Sequence, residues 1–256
     1  MANTASAVTP LPRGHIQSLQ NIENAYWWYI GRLNWAVEII RSWFGEQTEK
    51  NLDYIDLGCG TGGFAKAIKN TFSVKKAAVV DGDPQLVQKL SRTHNDFEIL
   101  QTNLNQPFQL PWQPSLVTCM DVLEHLENDK HFLGLVAGSM RPKGLLLVSV
   151  PAHQVLYSEW DRQLGHYRRY SRSDLESKLN GAGLKIRLIR HMWSFMIPFA
   201  PYRLLAGQRY RKNMEFEKVP SWINSLLVGL SKMEWRLPRS MRLPFGTSLI
   251  AAAEKP

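Results

Sequence analysis

The residues best suited to chemistry begin with a glycine-rich stretch at 56–63, which reads Asp-Leu-Gly-Cys-Gly-Thr-Gly-Gly. It follows a short apolar run and precedes helical spacing, so its glycines permit a tight turn and direct helix N–H groups at a ligand. With Asp81 about 20 residues further on, Gly58, Gly60 and Gly63 also satisfy the dinucleotide-binding pattern. This stretch predicts a nucleotide-type cofactor and leaves its identity open.

A second set of reactive side chains follows the apolar run that ends at Val150. Segment 151–171 contains two histidines, an aspartate and two adjacent arginines, which suits an acid/base site that also holds an anion. We expect His166 to be the base, with His153 as second candidate and Asp161 as the group that orients it. The residues expected to contact the substrate that this site acts on are Arg168, Arg169, Tyr170 and, from the N-terminal helix, Trp28. The alternative is that this loop only pins that helix, and His125 is expected to be structural.

Net charge is concentrated at one end of the chain. The 256 residues contain 31 Lys and Arg against 22 Asp and Glu, a net charge of +9. Residues 1–184 hold 18 basic and 18 acidic groups, whereas 185–256 hold 13 and 4, so the last segment carries the whole excess. This asymmetry indicates a local anionic partner, and a solvated basic face is the alternative. Nucleic acid is not expected, because no binding module is recognisable and the first part is neutral.

Cysteine content and apolar segments indicate the compartment. Cys59 and Cys119 are the two cysteines, which excludes a disulfide-stapled fold or a cysteine-based zinc site and favours a reducing environment. No uninterrupted apolar span approaches the ~18 residues of a transmembrane helix, and the N-terminus has no secretory apolar core. We therefore expect a cytoplasmic protein with a flexible tail at 1–17 and a single domain at 18–256.

The elements that must position these residues follow from periodicity. Helical spacing of apolar residues predicts a cap helix over 18–44, and a Ser173–Glu176 capping box predicts a helix that ends at Asn180-Gly181. Short apolar runs alternate with helical stretches, which is typical of an α/β fold with a mostly parallel sheet. The predicted strands are 52–57, 77–80, 97–100, 116–120, 145–150, 184–189 and 248–253.

The segment 192–244 breaks this alternation and is predicted to be an insertion before the last strand. It contains an aromatic run, a basic cluster and an amphipathic helix capped by Ser221. The basic cluster is Arg203, Arg209, Arg211 and Lys212, and the expected apolar face is Ile223, Leu226, Leu227, Leu230 and Met233. A lid, a homodimer face and a peripheral membrane contact all fit this composition, and the three stay open.

Read as Asp-x-Gly-x-Gly-x-Gly, the glycine stretch resembles the first motif of class I S-adenosylmethionine-dependent methyltransferases. Segment 78–84 is similar to that family's second motif, 119–126 to the end of its fourth strand and 133–150 to its following helix, turn and fifth strand. Segment 243–249 would lead into the last strand. The resemblance implies a Rossmann-like, seven-stranded sheet, mostly parallel with an antiparallel last strand and helices on both faces.

The same resemblance implies S-adenosyl-L-methionine as cofactor and a set of residues that bind it. Asn103 departs from the family, which usually has an acid there, although an amide oxygen can also accept from the adenine amine. No metal is expected, because the sulfonium leaving group is already activated. The implied cofactor-binding residues are Asp56, Gly58, Gly60, Gly62, Asp81, Gly82, Asn103, Leu104, Met120 and Asp121.

Segment 165–170, Gly-His-Tyr-Arg-Arg-Tyr, and the aromatic helix at 26–32 resemble a bacterial and archaeal methyltransferase subgroup with a Gly-His-x-Arg-Arg-Tyr signature. That resemblance implies a small or lipid- or glycan-linked acceptor, which can be anionic. Two other function classes stay open at this point. One is a nicotinamide-dependent oxidoreductase that uses Gly63, and the other is an inactive, membrane-peripheral interaction protein with the same fold.

Overall fold

The computed structural model describes residues 23, 25–45, 51–200 and 219–256. Within them, seven strands form one sheet in the order β3-β2-β1-β4-β5-β7-β6. Strands β1 to β5 run parallel to one another, whereas β7 is antiparallel to both of its neighbours, β5 and β6. The fold class predicted from the sequence is confirmed. The strands are β1 Leu52–Leu57, β2 Val74–Asp81, β3 Glu98–Gln101, β4 Leu116–Met120, β5 Leu145–Pro151, β6 Lys185–Met192 and β7 Ser248–Glu254.

Helices cover both faces of this sheet, and each face has its own apolar cluster. Strand β5 is buried along its whole length, as expected for a strand with helices on both sides. None of the described helices has the length and apolar character that crossing a bilayer requires. The helices are α1 Trp27–Phe44, α2 Gly63–Thr71, α3 Pro84–Thr93, α4 Asp129–Ser139, α5 Glu159–Gln163, α6 Arg172–Gly181 and α7 Ser221–Arg236.

Three helix starts differ from the sequence-based expectation. Helix α1 begins at Trp27 rather than at residue 18, because Tyr26 is extended and residues 23 and 25 lie in turns. Helix α6 is capped by Ser171, whose hydroxyl accepts from the Asp174 N–H at 3.1 Å. The chain therefore uses the serine two residues before the predicted cap. In α7, Ser221 is the first helical residue and Pro220 occupies the N-cap position.

Helix α7 packs on α1 through both apolar and polar groups: Leu227 and Trp235 lie against the apolar cluster that contains Trp35. Ser231 and Glu234 are buried, whereas Leu226 and Met233 are exposed. The Trp35 indole donates to the Ser231 carbonyl at 3.0 Å, and the Glu234 carboxylate accepts from the Trp193 N–H at 2.7 Å. Part of the predicted apolar face of α7, Leu226 and Met233, is therefore left toward solvent. The predicted tail at 1–17 and the basic cluster Arg203, Arg209, Arg211 and Lys212 lie outside the described residues.

Candidate functional site

The glycine loop lies at the carboxyl end of β1, where the strand order reverses between β2 and β4. Such a switch point is where open α/β sheets bind ligands. Gly58 has φ +70°, and a Cβ there would lie 2.5 Å from a Val122 methyl group. Gly62 has φ +82°, and its Cβ would lie 2.7 Å from Leu90. Neither position accommodates a side chain, so the loop keeps a bare backbone surface.

Asp81 closes the other side of this crevice at the end of β2. Its Oδ2 accepts from the Gly60 N–H and its Oδ1 from the Asp83 N–H, both at 2.9 Å. Burial raises the pKa of this carboxyl, while the backbone N–H groups oppose the shift. Each oxygen accepts one N–H in these bonds and retains a lone pair, which suits the two hydroxyl groups of a ribose.

Asp56 is buried below the loop at the end of β1. The Thr118 hydroxyl donates to its Oδ1 at 2.5 Å. Burial raises the pKa of Asp56 to about 7, and the Thr118 hydrogen bond only partly opposes this. This carboxyl is therefore only partly ionised at neutral pH, and a nearby cationic ligand would favour loss of its proton.

Arg32 of α1 is a functional candidate that sequence reasoning missed. It is buried, and its guanidinium lies 4.6 Å from the Trp28 ring centroid and 5.7 Å from that of Phe64, at the start of α2. It also forms an ion pair with Asp121, whose backbone has φ +55° and whose Oδ1 accepts from the Ser149 hydroxyl at 3.0 Å. The available signal was an arginine three residues after the aromatic run 26–29 in the cap helix.

The remaining predicted cofactor residues lie around the same crevice. Leu104 and Met120 are buried in the two apolar clusters, and Gly82 follows β2. The Asn103 side-chain oxygen, Oδ1, accepts from the Asn105 N–H at 3.0 Å. Trp28 is partly buried between Arg32 and Trp193, whose ring centroid is 5.6 Å away. The binding roles predicted for these residues stay predictions.

In the loop after β5, Asp161 is the centre of a dense polar network. It is fully buried and accepts from Nε and an Nη of Arg169, from the N–H and hydroxyl of Ser158, and from His166 Nδ1, each at 2.9 Å. Burial alone would raise the pKa of Asp161, but the His166 hydrogen bond and the Arg169 charge hold it well below its usual range. The structure therefore brings together the predicted base and its predicted orienter.

This network contacts the loop that follows β4. The His125 and His166 rings are perpendicular with centroids 4.5 Å apart, and the Tyr167 N–H donates to the Glu124 carbonyl at 2.7 Å. The Glu124 carboxylate is fully buried, and neither oxygen has a hydrogen-bond partner among the described residues. Burial, followed by the charge of Asp121, raises its pKa well above the usual value. Glu124 is the second residue whose importance the sequence did not indicate.

The second candidate base, His153, lies on the other side of β5. Its ring stacks on that of His191 in β6, with centroids 5.4 Å apart and planes 5° from parallel. Its Nε2 is buried without a partner in the described part of the chain, and its backbone has φ +62°. Burial also lowers the pKa of His191 to about 4. His153 thus belongs to a histidine pair separate from the Asp161 network.

The predicted acceptor contacts Arg168 and Tyr170 are bound to the protein itself. Arg168 donates to the Asp129 carboxylate and to the Glu127 carbonyl, each at 2.9 Å. Tyr170 is fully buried, and its hydroxyl donates to the same Asp129 carboxylate at 2.7 Å. These two side chains fasten the loop to the start of α4, whereas Arg169 binds Asp161 within the loop; none of these bonds reaches the N-terminal helix, so the alternative that the loop pins that helix stays a prediction. Acceptor contact by these three residues stays a prediction.

Comparison with known proteins shows which protein family the chain matches. The model of the methyltransferase domain family matches residues 32–189, from the buried arginine of α1 through β6. The strand order agrees, because an antiparallel β7 lies between β5 and β6, whereas the dinucleotide-binding order 3-2-1-4-5-6 has no such strand.

Individual relatives are distant. The mitochondrial ubiquinone biosynthesis O-methyltransferase of Schizosaccharomyces pombe is 25% identical over 237 residues, 88% of this chain and 76% of that protein. The ubiquinone biosynthesis O-methyltransferase of Rickettsia bellii strain OSU 85-389 is 26% identical over 121 residues, 46% of this chain and 49% of that protein. The N-methyltransferase NodS of Bradyrhizobium japonicum WM9, solved with S-adenosyl-L-homocysteine, superposes with a TM-score of 0.55 at 13% identity, covering 95% of this chain and 99% of NodS.

Proposed function

Because the chain belongs to the methyltransferase domain family and is an S-adenosylmethionine-dependent methyltransferase, we propose that it methylates an oxygen of a small, lipid-linked acceptor. The observation that carries this proposal is the Asp161–His166 pair, which lies against the loop after β4 at the carboxyl edge of the sheet. The names of the relatives add support, since both describe O-methyl transfer in ubiquinone biosynthesis.

The residues of the crevice fit the cofactor. The bare glycine backbone would receive it, Asp81 would accept from its ribose hydroxyls, and Arg32 with Asp121 would hold its charged amino-acid part. When bound, S-adenosylmethionine supplies a methyl group on a sulfonium, so that the sulfur–carbon bond breaks as the acceptor oxygen–carbon bond forms and S-adenosylhomocysteine leaves. The chain's own task is to position the acceptor oxygen and to promote loss of its proton.

We assign that task to His166. Its Nδ1 bonds Asp161, which fixes the ring and leaves Nε2 as the atom that acts on the acceptor side. Asp161 is itself held by Arg169 and Ser158, so the orientation does not depend on a bound ligand. His153, stacked on His191, has no comparable carboxylate among the residues that the structure describes, which makes it the weaker candidate.

Calorimetry tests the cofactor part of the proposal. S-adenosylmethionine, S-adenosylhomocysteine and NADH are titrated into wild type, Asp81→Ala and the surface control Asp96→Ala. We expect the two adenosyl ligands to bind wild type and the control with micromolar affinity and Asp81→Ala at least 100-fold more weakly. Binding of NADH alone would overturn the assignment.

An acceptor assay tests the oxygen and the lipid-linked class. S-adenosylhomocysteine formation is measured with phenolic acceptors that do or do not have a prenyl chain, and with matched anilines. We expect turnover of prenylated phenols and at least a 10-fold loss with His166→Ala at unchanged cofactor affinity. Turnover of the anilines alone would contradict oxygen as the methylated atom.

A lipid-linked acceptor also favours the peripheral membrane contact expected from segment 192–244. Large apolar side chains are exposed on and near α7, with Trp222 69% and Phe199 57% exposed. Vesicle co-sedimentation compares wild type with a Trp222→Ser/Leu226→Ser double variant, both on the solvent side of α7. We expect weaker binding to anionic vesicles in the variant, whereas unchanged binding with a loss of dimers would make this surface a subunit interface.

A further inference from the structure

We propose that Glu124, His125 and His166 bind a divalent transition-metal ion beside the methyl-transfer site. The geometry of the three side chains stands independently of the proposed function, while the role of the ion in activating the acceptor rests on it. The proposal departs from the sequence-based expectation that no metal takes part.

The first observation is that potential ligand atoms of the three side chains lie close together. One potential ligand atom from each of the three residues lies within 4.8 Å of the other two. Ligand atoms about 2.0–2.2 Å from a zinc ion are separated by roughly 3–3.5 Å, so small side-chain rotations would close the set. Glu124 and His125 are adjacent in the turn after β4, and His166 approaches from the loop after β5. Two separate loops thus meet at this point.

The second observation is the Glu124 carboxylate. It is fully buried, and both of its oxygens lack a hydrogen-bond partner in the described part of the chain. A buried carboxylate without donors loses its hydration and gains nothing in return, which costs several kcal/mol. A metal ion at the adjacent imidazoles would compensate this loss directly.

The third observation is the environment of His166. A histidine that binds a metal commonly donates its other ring N–H to a carboxylate, which fixes the tautomer and directs the free nitrogen at the ion. Asp161 accepts from His166 Nδ1 at 2.9 Å, and the Arg169 and Ser158 bonds hold Asp161 in place. Nε2 is therefore the prepared ligand atom, and Asp161 is a positioning residue.

The donor set indicates the kind of ion and its use. Two imidazoles and one carboxylate suit zinc, cobalt, manganese or iron rather than magnesium, and three protein ligands leave a position open. The acceptor hydroxyl would occupy that position and release its proton to solvent more readily, and the oxygen would then take the methyl group as the sulfur–carbon bond breaks. With the ion bound, His166 would promote proton loss as a metal ligand, and this role would replace the direct action of Nε2 on the acceptor that the proposed function assigns to it.

The experiment measures metal binding rather than turnover. Untagged protein, stripped with a chelator, is titrated calorimetrically with Zn²⁺ and with Mg²⁺, and Co²⁺ is added while the visible d–d absorption is recorded. The variants are Glu124→Gln, His166→Ala and Asp161→Asn, with the exposed His131→Ala as matched control. S-adenosylhomocysteine affinity is measured for every variant to show that the fold persists.

We expect one Zn²⁺ per chain, a Co²⁺ spectrum of a site with nitrogen ligands, and Zn²⁺ affinity at least 100-fold above that for Mg²⁺. Glu124→Gln and His166→Ala should weaken Zn²⁺ binding at least 100-fold, Asp161→Asn by 10- to 100-fold, and His131→Ala not at all. Wild type that fails to bind Zn²⁺ and Co²⁺, or folded ligand variants that bind them unchanged, would overturn the site. Metal binding without S-adenosylhomocysteine binding would instead contradict the proposed function and leave the site standing.

Discussion

At the glycine loop, Asp56 and Asp81 are buried with hydrogen bonds from a hydroxyl and from backbone N–H groups, and burial raises the pKa of both. In and around the loop after β5, Asp161 and Asp129 are also buried, but Arg169 and Lys178 bind them. Despite their burial, these partners lower the pKa of both carboxyl groups. The pKa of a buried aspartate is thus raised at the glycine loop and lowered in and around the loop after β5.

The contrast indicates which charges serve a ligand. Cations and further donors of the protein already neutralise Asp161 and Asp129, so these two carboxylates stabilise the fold and have little left for a substrate. The Arg32–Asp121 ion pair differs, since we propose that it contacts the cofactor. A buried carboxylate without a cation has a cost that a ligand can offset, so it marks the binding surface. By this criterion Glu124 resembles the glycine-loop acids, although it lies next to the Asp161 network.

The largest expected effect separates the two kinds of carboxylate by stability. Asp161→Asn should lower the free energy of unfolding by about 3–5 kcal/mol, because it leaves the nearly buried Arg169 guanidinium without its counter-charge. The isosteric Asp81→Asn should cost no more than about 1 kcal/mol, because it removes one backbone hydrogen bond and no ion pair. Urea unfolding of the ligand-free proteins measures both. Equal losses would remove the distinction between the two regions.

A pH series on Asp56→Asn tests the cost of an uncompensated carboxyl. Since the folded pKa is about 7 and the reference value 3.8, stability from the protonated form is present below about pH 4 and is lost as pH rises through 7. The free energy of unfolding of the variant, taken relative to wild type, should therefore rise between pH 4 and 7, by up to about 4 kcal/mol for three pKa units.

The measurement is the variant-minus-wild-type difference in unfolding free energy at each pH. The partly exposed Asp174, paired with Lys178, provides the control Asp174→Asn, which should show no such rise. A difference that stays flat for Asp56→Asn would show that this carboxyl is ionised at neutral pH.

The smallest effect concerns Arg32, which lies between the two regions. Arg32→Lys retains the charge but loses the planar stack on Trp28 and the geometry of the Asp121 pair. We expect about 10-fold weaker S-adenosylhomocysteine binding, or roughly 1.4 kcal/mol, and unchanged binding of 5′-methylthioadenosine, which lacks the amino-acid part. Arg41→Lys, exposed on the same helix, is the control. An equal loss for both ligands would place Arg32 outside the amino-acid end of the cofactor site.

How much could be predicted from the sequence differs between elements. Each of the seven predicted strands corresponds to a strand in the structure, with ends within about three residues, because alternating apolar runs and turn residues are local signals. The partner of the α7 apolar face was left open by the sequence, and in the structure Leu226 and Met233 are exposed while the indoles of Trp35 and Trp193 donate to Ser231. Periodicity records which side of a helix is apolar, not which side finds hydrogen-bond partners.

The sequence by itself determined the α/β class, the glycine loop and the acid after β2, because spacing along one strand–turn–helix unit sets their geometry. The tertiary structure alone decided the partners of the charged side chains: Arg169 for Asp161, Asp129 for Arg168, Asp121 for Arg32 and, within the described part of the chain, none for Glu124. Those pairs join residues up to 89 positions apart. Burial and counter-charge are properties of the assembled fold, so whether a carboxylate serves the fold or a ligand is settled only when the loops meet.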